Sequence, residues 1–221
     1  MQGRIISSLN YLKKSILSII YPGSYNCLNC GEELDDIGIC KICEDKMEYC
    51  TNTKIIDDVK VYSISYYGYA IKKLILDFKY KSDFNCGEYL GKLVVKKFNQ
   101  IDKEFDYITC VPSSKKKLKE RGFNQCEFLA NYLSENKNIP YIKSLKKINN
   151  IKEQKFLSAM EREENIKNAF FLIDNKKFID KKILLIDDVI TTGFTIEECI
   201  KELKKIQGID LTVMVIAESL N

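Results

Sequence analysis

The sequence predicts an α/β protein with a mainly parallel sheet flanked by helices and a small cysteine-rich module in front of it. Four apolar residues run without alternation from Ile183 to Ile186, which is typical of a strand buried on both faces. The next stretch has the spacing of an amphipathic helix, with an apolar face formed by Ile196, Cys199, Ile200 and Leu203. Two Cys-x-x-Cys pairs precede the first predicted strand. A chain of 221 residues can hold one such domain and a small module.

Composition excludes several classes of function. The net charge of +4 is too small to indicate nucleic-acid or membrane binding by itself. The absence of histidine excludes histidine acid–base catalysis and histidine metal ligands. No secretory signal peptide is recognised, so we expect a reducing cytoplasm as the location. Single cysteines in apolar or helical surroundings are predicted to be buried thiols: Cys86, Cys110, Cys126 and Cys199.

Residues 4–20 form a predicted amphipathic helix. Its apolar face comprises Ile5, Leu9, Leu12, Ile16 and either Ile19 or Ile20. Asn10, Lys13 and Lys14 interrupt the apolar run, so we predict no transmembrane segment here. We expect the helix to pack against the rest of the protein, and the alternative is a peripheral position at the inner face of the membrane.

Four cysteines have the spacing of a metal-binding module: Cys27, Cys30, Cys40 and Cys43. Each Cys-x-x-Cys turn presents two thiolates to one ion, and two turns complete the tetrahedral sulfur coordination that suits Zn²⁺. Because protein supplies all four ligands, we predict a structural zinc ion. A redox pair and an iron–sulfur cluster are the alternatives. Cys50 is either a structural thiol or a substitute ligand. The predicted boundary separates an N-terminal helix and zinc module, 1–52, from a second domain, 53–221.

Alternating strands and helices are predicted between and after these motifs. The predicted strands are residues 59–67, 105–111, 145–148 (at an edge), 169–173 and 211–217, of which the last finishes the sheet. The predicted helices are residues 68–80, 87–98, 154–165 and a segment whose apolar side comprises Phe128, Leu129, Tyr132 and Leu133. Tyrosines and lysines between residues 67 and 81 form either a nucleic-acid face or a solvated helix surface.

A short Thr/Gly loop lies between the strand at 183–186 and the helix that follows it. Ligands of open α/β sheets bind outside the carboxyl ends of the strands, and a helix N-terminus attracts phosphate. Gly193 lets the backbone approach an anion closely, while Thr191, Thr192 and Thr195 supply hydroxyl donors. Thr195 and Glu198 also have the spacing of a capping box at the helix start.

Two carboxylates, Asp187 and Asp188, precede this loop. They would repel a phosphate, but they suit a diol or a Mg²⁺ ion, since both prefer hard oxygen acceptors. A ligand with a phosphate at one end and a diol at the other is a ribose 5-phosphate. The alternative is an ordinary strand–turn–helix with solvated acids.

A basic segment follows the strand at 105–111. Five basic residues and one glutamate lie between Lys115 and Arg121, after Pro112, Ser113 and Ser114. A pyrophosphate carries several negative charges, and clamps of lysine and arginine suit it. Gly122 would act as a joint that lets the segment close over a ligand. The alternative is a solvated basic loop.

The stretch from Asp187 to Thr195 resembles the 5-phosphoribosyl-1-pyrophosphate (PRPP) loop of type I phosphoribosyltransferases. Five features in order resemble the ComF family of bacterial competence proteins, and in particular its ComFC type. They are the double Cys-x-x-Cys, Tyr67-Gly68 with Phe78-Lys79-Tyr80, Lys119 to Gln125, Arg162-x-x-Asn165-x-x-x-Ala169-Phe170, and Asp187 to Thr195.

This resemblance implies a type I phosphoribosyltransferase-like domain over 53–221 behind a zinc module. It implies PRPP binding by Asp187, Asp188, Val189, Thr191, Thr192, Gly193, Phe194 and Thr195. The expected pyrophosphate contacts are Pro112, Ser113, Ser114, Lys115, Lys116 and Arg121, and the expected catalytic residues are Asp187, Asp188 and Arg121. Two departures from the family pattern are Ser113-Ser114-Lys115, which is usually richer in proline with histidine or arginine, and Phe194, where a small residue is usual.

The resemblance further implies a cytoplasmic protein that assists internalised single-stranded DNA during natural transformation. One hypothesis is Mg²⁺-dependent phosphoribosyl transfer from PRPP. The other is a non-catalytic adaptor of the competence machinery that keeps the fold and binds single-stranded DNA. Other competence proteins, such as a DNA-uptake helicase, are the expected partners of either form.

Overall fold

The computed structural model describes residues 26–147, 169–173 and 176–219. The predicted helices at 4–20 and 154–165 lie outside these ranges. The strands are β1 (Thr53–Ile56), β2 (Val59–Tyr66), β3 (Tyr107–Cys110), β4 (Leu145–Lys147), β5 (Phe170–Leu172), β6 (Lys182–Ile190) and β7 (Asp210–Glu218). The helices are α1 (Lys41–Asp45), α2 (Tyr69–Lys81), α3 (Phe84–Phe98), α4 (Lys115–Arg121), α5 (Gln125–Lys137) and α6 (Phe194–Leu203), with a 3₁₀ turn at Lys176–Phe178.

Five strands form the main sheet in the order β1-β2-β7-β6-β3. The pairs β2–β7, β7–β6 and β6–β3 are parallel, and only β1 at the edge runs antiparallel to its neighbour. The predicted mainly parallel sheet is therefore confirmed. β7, predicted to finish the sheet, lies at its centre, where five consecutive residues from Val213 to Ala217 are fully buried.

Hydrophobic residues cover both faces of the main sheet. On one face, Leu184, Ile186, Met214 and Ile216 pack with the buried sides of α2, α3 and α5. On the other face, Ile183, Leu185, Val213 and Val215 pack with α6 and with the small antiparallel sheet of β4 and β5. This alternation explains the unbroken apolar run, because every side chain of β6 between 183 and 186 meets one of two cores.

The cysteine module rests against the main domain. The backbone N–H of Cys50 donates to the carbonyl of Ile64 at 3.0 Å, and the N–H of Tyr66 donates to the carbonyl of Glu48 at 2.8 Å. The Lys73 ammonium donates to the carbonyl of Leu28 at 2.5 Å. The module is thereby tied to both β2 and α2.

The structure corrects the sequence-based assignment at three places. β1 lies where no strand was predicted, and the basic segment after β3 is largely the helix α4. The predicted edge strand at 145–148 is β4, which pairs with β5 outside the main sheet. All four single cysteines are buried, as predicted. Within the described ranges, no helix has the length and apolar character needed to cross a membrane.

Candidate functional site

Two strand ends meet at one edge of the main sheet. β3 and β6 are parallel, with Cys110 paired to Ile186, and the N–H of Val111 donates to the carbonyl of Ile186 at 3.0 Å. Pro112 therefore follows β3 at the level where Asp187, still within β6, comes directly after the last residue paired with β3. The segment predicted to contact pyrophosphate and the loop predicted to bind phosphate start side by side.

Asp187 is buried, with 6% of its surface exposed. Its Oδ1 accepts hydrogen bonds from the Cys126 thiol at 3.2 Å and from the Asp188 N–H at 2.9 Å. Burial, and after it the charge of Asp188, raises the pKa of Asp187 to about 7. Burial also raises the pKa of Cys126 well above its ordinary value, so this thiol keeps its proton and donates it. Ionised Asp187 is costly here unless a cation or a donor from a ligand faces it.

Asp188 forms an ion pair with Lys79, whose ammonium lies 2.6 Å from its carboxylate oxygen. Burial alone would lower the pKa of Lys79, but the charge of Asp188 outweighs it and the pKa is raised. The pair places the end of α2 against the end of β6. A diol or a Mg²⁺ ion at Asp188 would share this carboxylate with Lys79.

The two carboxylates suit a hard cation. Carboxylate oxygens of Asp187 and Asp188 and the Cys126 sulfur lie within 4.8 Å of one another. Mg²⁺ takes oxygen ligands and keeps several of its own waters, so the two carboxylates fit it, whereas a protonated thiol does not. Cys126 therefore serves this site as a hydrogen-bond donor to Asp187.

The loop after β6 ends at the start of α6. Gly193 is the N-cap residue and has φ of 88°, a left-handed conformation that favours glycine. The predicted capping box is wrong, because Thr195 is the second residue of the helix and no described side chain caps this end. The first N–H groups of a helix lack intrahelical partners, so this end suits an anion. Thr191 and Thr192 beside it are exposed.

The basic residues after β3 belong to α4. Ser114 caps this helix, since its hydroxyl accepts from the N–H of Lys117 at 3.3 Å, and Gly122 ends it with φ of 80°. Lys115 and Lys116 are exposed on the first turn. The helix holds these lysines at the same sheet edge as Asp187 rather than leaving them on an irregular loop.

Asn124 links the segment after β3 to the start of α5. Its side-chain oxygen accepts from the Ser113 hydroxyl at 3.0 Å and from the Cys126 N–H at 3.2 Å. Its amide nitrogen donates to the Val111 carbonyl at 3.2 Å. These bonds fix Ser113 relative to Cys126, and through the Cys126 thiol relative to Asp187.

Arg121 lies at the end of α4 and contacts two residues from other elements. Its Nη1 donates to Gln125 Oε1 at 3.0 Å, and its Nη2 donates to the Tyr80 hydroxyl at 3.3 Å. The guanidinium carbon lies 5.0 Å from the centre of the Tyr80 ring. Arg121 therefore contacts Tyr80, and the preceding residue of α2, Lys79, pairs with Asp188. The last turn of α2 thus brings Arg121 and the acidic pair into one region.

The four predicted metal ligands are clustered. The sulfur atoms of Cys27, Cys30, Cys40 and Cys43 all lie within 4.8 Å of one another, and those of Cys30 and Cys40 are 3.6 Å apart. Tetrahedral zinc with bonds of about 2.3 Å places its sulfurs about 3.8 Å apart, so the cluster fits such an ion. Cys50 is not a member of this cluster.

Hydrogen bonds lower the pKa of two cysteines of the cluster, Cys27 and Cys43, whereas the pKa values of Cys30 and Cys40 are raised. The N–H of Cys40 donates to the Cys27 sulfur at 3.2 Å, and the Asn29 amide donates to the Cys43 sulfur at 3.2 Å. Burial raises the pKa of Cys27, but backbone donors outweigh it and lower the pKa to about 6. The Tyr69 hydroxyl lies 3.7 Å from the Cys43 sulfur, so the cluster also touches the first residue of α2.

Sequence reasoning missed several residues of this site. It assigned no role to Lys79, Cys126, Asn124 or Gln125, because their contacts join elements that are distant along the chain. A signal was available for three of them, because Lys79, Asn124 and Gln125 lie in stretches that resemble the ComF family, whereas Cys126 has the pattern of an ordinary buried thiol.

Comparison with known proteins identifies the family. The chain is 30% identical over 195 residues to Competence protein F of Haemophilus influenzae, covering 81% of this chain and 84% of that protein. The chain belongs to the competence protein F family. It is 28% identical over 184 residues to Competence protein ComFC of Streptococcus pneumoniae, with coverage of 83% and 76%. The Bacillus subtilis ComFC protein is 28% identical over 175 residues, with coverage of 77% and 68%. No family model matches the chain.

Solved structures with similarity to this competence-family chain include a phosphoribosyltransferase and an amidotransferase. Adenine phosphoribosyltransferase from Thermoanaerobacter pseudethanolicus has a TM-score of 0.44 and 12% identity, covering 80% of this chain and 87% of that chain. Glutamine PRPP amidotransferase from B. subtilis has a TM-score of 0.44 and 20% identity, covering 63% of this chain and 30% of the enzyme, so this chain spans less than a third of it. The predicted mainly parallel α/β sheet and the small four-cysteine cluster are confirmed by the strand order and the cysteine positions of this chain.

Proposed function

We propose that the protein binds PRPP with Mg²⁺ and transfers its phosphoribosyl group, as part of DNA uptake during natural transformation. One observation carries the proposal. Two carboxylates lie in the C-terminal half of β6, and a short loop joins this strand to a helix start that is capped by Gly193. This arrangement offers hydroxyl-binding acceptors and phosphate-binding donors within one short stretch of chain, and a ribose 5-phosphate needs both.

The 5-phosphate is proposed to bind at the loop after β6. Backbone N–H groups at the start of α6 and the hydroxyls of Thr191, Thr192 and Thr195 are the donors, and Gly193 leaves room for the oxygens. Val189 and Phe194 border the ribose. Asp187 and Asp188 accept from the ribose hydroxyls or hold Mg²⁺.

The pyrophosphate is proposed to leave toward α4. Lys115, Lys116 and Arg121 provide positive charge there, and Pro112 to Ser114 bring the backbone to the same edge. The bond between the anomeric carbon and the pyrophosphate oxygen breaks, and a bond from the acceptor to that carbon forms. Bound Mg²⁺ would supply charge compensation for the leaving group. The role of this chain is to orient the ribose and stabilise the departing anion.

A Zn²⁺ ion is proposed for the four-cysteine cluster. All four ligands come from protein, so the ion has no open position for catalysis and acts structurally. The protein is proposed to act in the cytoplasm, with other competence proteins as partners, such as a DNA-uptake helicase. A peripheral position at the inner face of the membrane through residues 4–20 belongs to the same proposal.

Calorimetric titration with PRPP in Mg²⁺ tests the proposal. We expect micromolar binding by the zinc-loaded protein and its loss in the double variant Asp187→Asn/Asp188→Asn, because both acceptors for the ribose hydroxyls or Mg²⁺ are weakened. Asp35→Asn/Asp36→Asn is the matched control, since it removes the same charge from an exposed pair in the cysteine module. Unchanged PRPP binding in the site variant would refute the assignment.

A second function, single-stranded DNA binding without catalysis, is favoured by the surface around Tyr80. Tyr80 is 68% exposed and lies beside Arg121 and Lys81, so a base could stack where phosphates meet positive charge. Absence of PRPP binding, together with oligonucleotide binding that weakens steeply with salt, would give this function first place. Binding that is absent or independent of salt would count against it.

A further inference from the structure

Two buried side-chain donors, at the end of α4 and the start of α5, have no hydrogen-bond partner in the part of the chain that the structure describes. Arg121 Nη1 donates a hydrogen bond to Gln125 Oε1. Two other donors of this pair, Gln125 Nε2 and Arg121 Nε, take no part in that bond. Both atoms are buried, and neither has a partner among the described residues. Gln125 is only 2% exposed. A buried donor without an acceptor costs about 1–3 kcal/mol, so two at one place call for an explanation.

The two residues are held in place by their neighbours. Tyr80 packs on the Arg121 guanidinium and accepts from Nη2, so the plane of the guanidinium is fixed. Gln125 is the first residue of α5 and precedes Cys126, whose thiol binds Asp187. The unpartnered donors therefore lie in the same region as the acidic pair, on α4 and α5.

The chemistry of the missing partner follows from these atoms. Arginine offers donors only and stays charged, and the Gln125 oxygen is already occupied, so the missing partner is an acceptor and an anionic oxygen suits it best. The 5-phosphate has its own donors at the start of α6, and the ribose hydroxyls face the carboxylates. The diphosphate group of PRPP is the remaining anionic part of that ligand.

We infer that Arg121 Nε and Gln125 Nε2 together bind an oxygen of the diphosphate group, which makes Gln125 a pyrophosphate-binding residue. This inference rests on the proposed PRPP function. Gln125 thereby joins the residues predicted to contact pyrophosphate. Its neutral side chain would orient the anion by a hydrogen bond, whereas the lysines of α4 would supply positive charge. A charge-assisted hydrogen bond to a phosphate oxygen is among the stronger ones that proteins form.

Two variants of Gln125 test the inference by calorimetry with separate probes. Gln125→Met keeps the shape and removes the donor, while Gln125→Glu keeps an acceptor for Arg121 and replaces the donor with negative charge. We expect both to weaken binding of Mg²⁺-pyrophosphate and of PRPP by about tenfold or more. Binding of ribose 5-phosphate should stay within about twofold, because its contacts lie on the loop after β6.

Gln100→Met, an exposed glutamine beyond the end of α3, is the matched control and should bind all three probes as the wild type does. Wild-type pyrophosphate affinity in both Gln125 variants would overturn the inference. An equal loss of affinity for ribose 5-phosphate would also overturn it, since the substitution would then disturb the fold in general. If the wild type binds none of the probes, the PRPP function itself fails.

Discussion

Asp187 is the residue whose protonation matters most for this molecule. Its buried carboxylate accepts hydrogen bonds from one thiol and one backbone N–H. Its pKa of about 7 lies far above the ordinary aspartate value. Near neutral pH the free protein therefore holds a mixture of ionised and protonated Asp187. A bound cation or ribose would favour the ionised form, so ligand affinity should rise with pH up to about 7.

The same shift predicts how stability depends on pH. Between the unfolded pKa near 3.8 and the folded value of about 7, the folded state holds a proton that the unfolded state has lost. The contribution of Asp187 to the free energy of unfolding is thus complete at acidic pH and falls as pH rises to 7. Relative to Asp187→Asn, the wild type should lose about 1.4 kcal/mol per pH unit over this window.

Urea denaturation of both proteins at several pH values, without Mg²⁺, measures this difference. Parallel stability curves for the wild type and Asp187→Asn would show that Asp187 titrates alike in both states and would contradict the prediction. Asp77, whose pKa is lowered by its two lysine partners despite partial burial, contributes in the opposite direction in both proteins and cancels in the comparison.

At the residue scale the sequence predicted the acids and the hydroxyls but not what holds them. Asp187, Asp188 and the threonines are contiguous, so their chemistry is visible in one stretch. Lys79 and Cys126 reach the same place only because α2 and α5 pack on one face of the sheet. Pairing of that kind is a property of tertiary packing, which local spacing does not encode.

Helix α3 depends on two glycines for its close packing. A Cβ on Gly87 would lie 2.6 Å from the Phe78 ring of α2, and one on Gly91 would lie 2.7 Å from the Tyr132 ring of α5. Both distances are shorter than van der Waals contact. The three helices that cover this face of the sheet therefore approach one another through positions without side chains.

Gly91→Ala is expected to destabilise the protein by about 1–2 kcal/mol, because the overpacking of a core outweighs the gain in helix propensity. Thermal or urea unfolding measures the change. Gly38→Ala is the control, since its Cβ would meet the Tyr89 ring at an ordinary 3.5 Å, and we expect a change within about 0.5 kcal/mol. Equal stability of the wild type and Gly91→Ala would show that α5 can shift.

Elements were predictable where one pattern dominated. The β6–loop–α6 unit was found because an unbroken apolar run, typical of a buried strand, is followed by the 3.6-residue spacing of an amphipathic helix. β1 was missed because this edge strand is largely exposed and short, and its sequence has no alternation to detect. Interpreting α4 by its charge favoured a ligand-binding segment, although lysine and arginine are also good helix formers.

At the scale of the whole molecule, the cysteine module packs against β2 and α2. Cys50 and Glu48 bond to β2, and the cluster itself touches Tyr69 at the start of α2. Because Lys79 lies in the last turn of α2, one helix spans the distance from the cysteine cluster to the acidic pair. The division at residue 52 remains a prediction.

Removing one ligand tests this packing. Cys43→Ser should lose the metal and lower Tm by roughly 5 °C or more, since 1 kcal/mol corresponds to about 2–4 °C in a domain of this size. Cys50→Ser should keep one metal ion per chain, because Cys50 lies outside the cluster. Elemental analysis measures the metal content, and calorimetry measures Tm. Metal retention by Cys43→Ser or metal loss by Cys50→Ser would contradict the assignment of the four ligands.

The central place of β7 has a consequence for biosynthesis. β2 and β6 do not pair with each other, and each completes its backbone hydrogen bonds only when residues 210–218 are inserted between them. While the ribosome is still adding these residues, both strands present open apolar edges, which are prone to wrong pairing. The main sheet therefore cannot close until residues 210–218 have been synthesised, and the open edges favour aggregation until then.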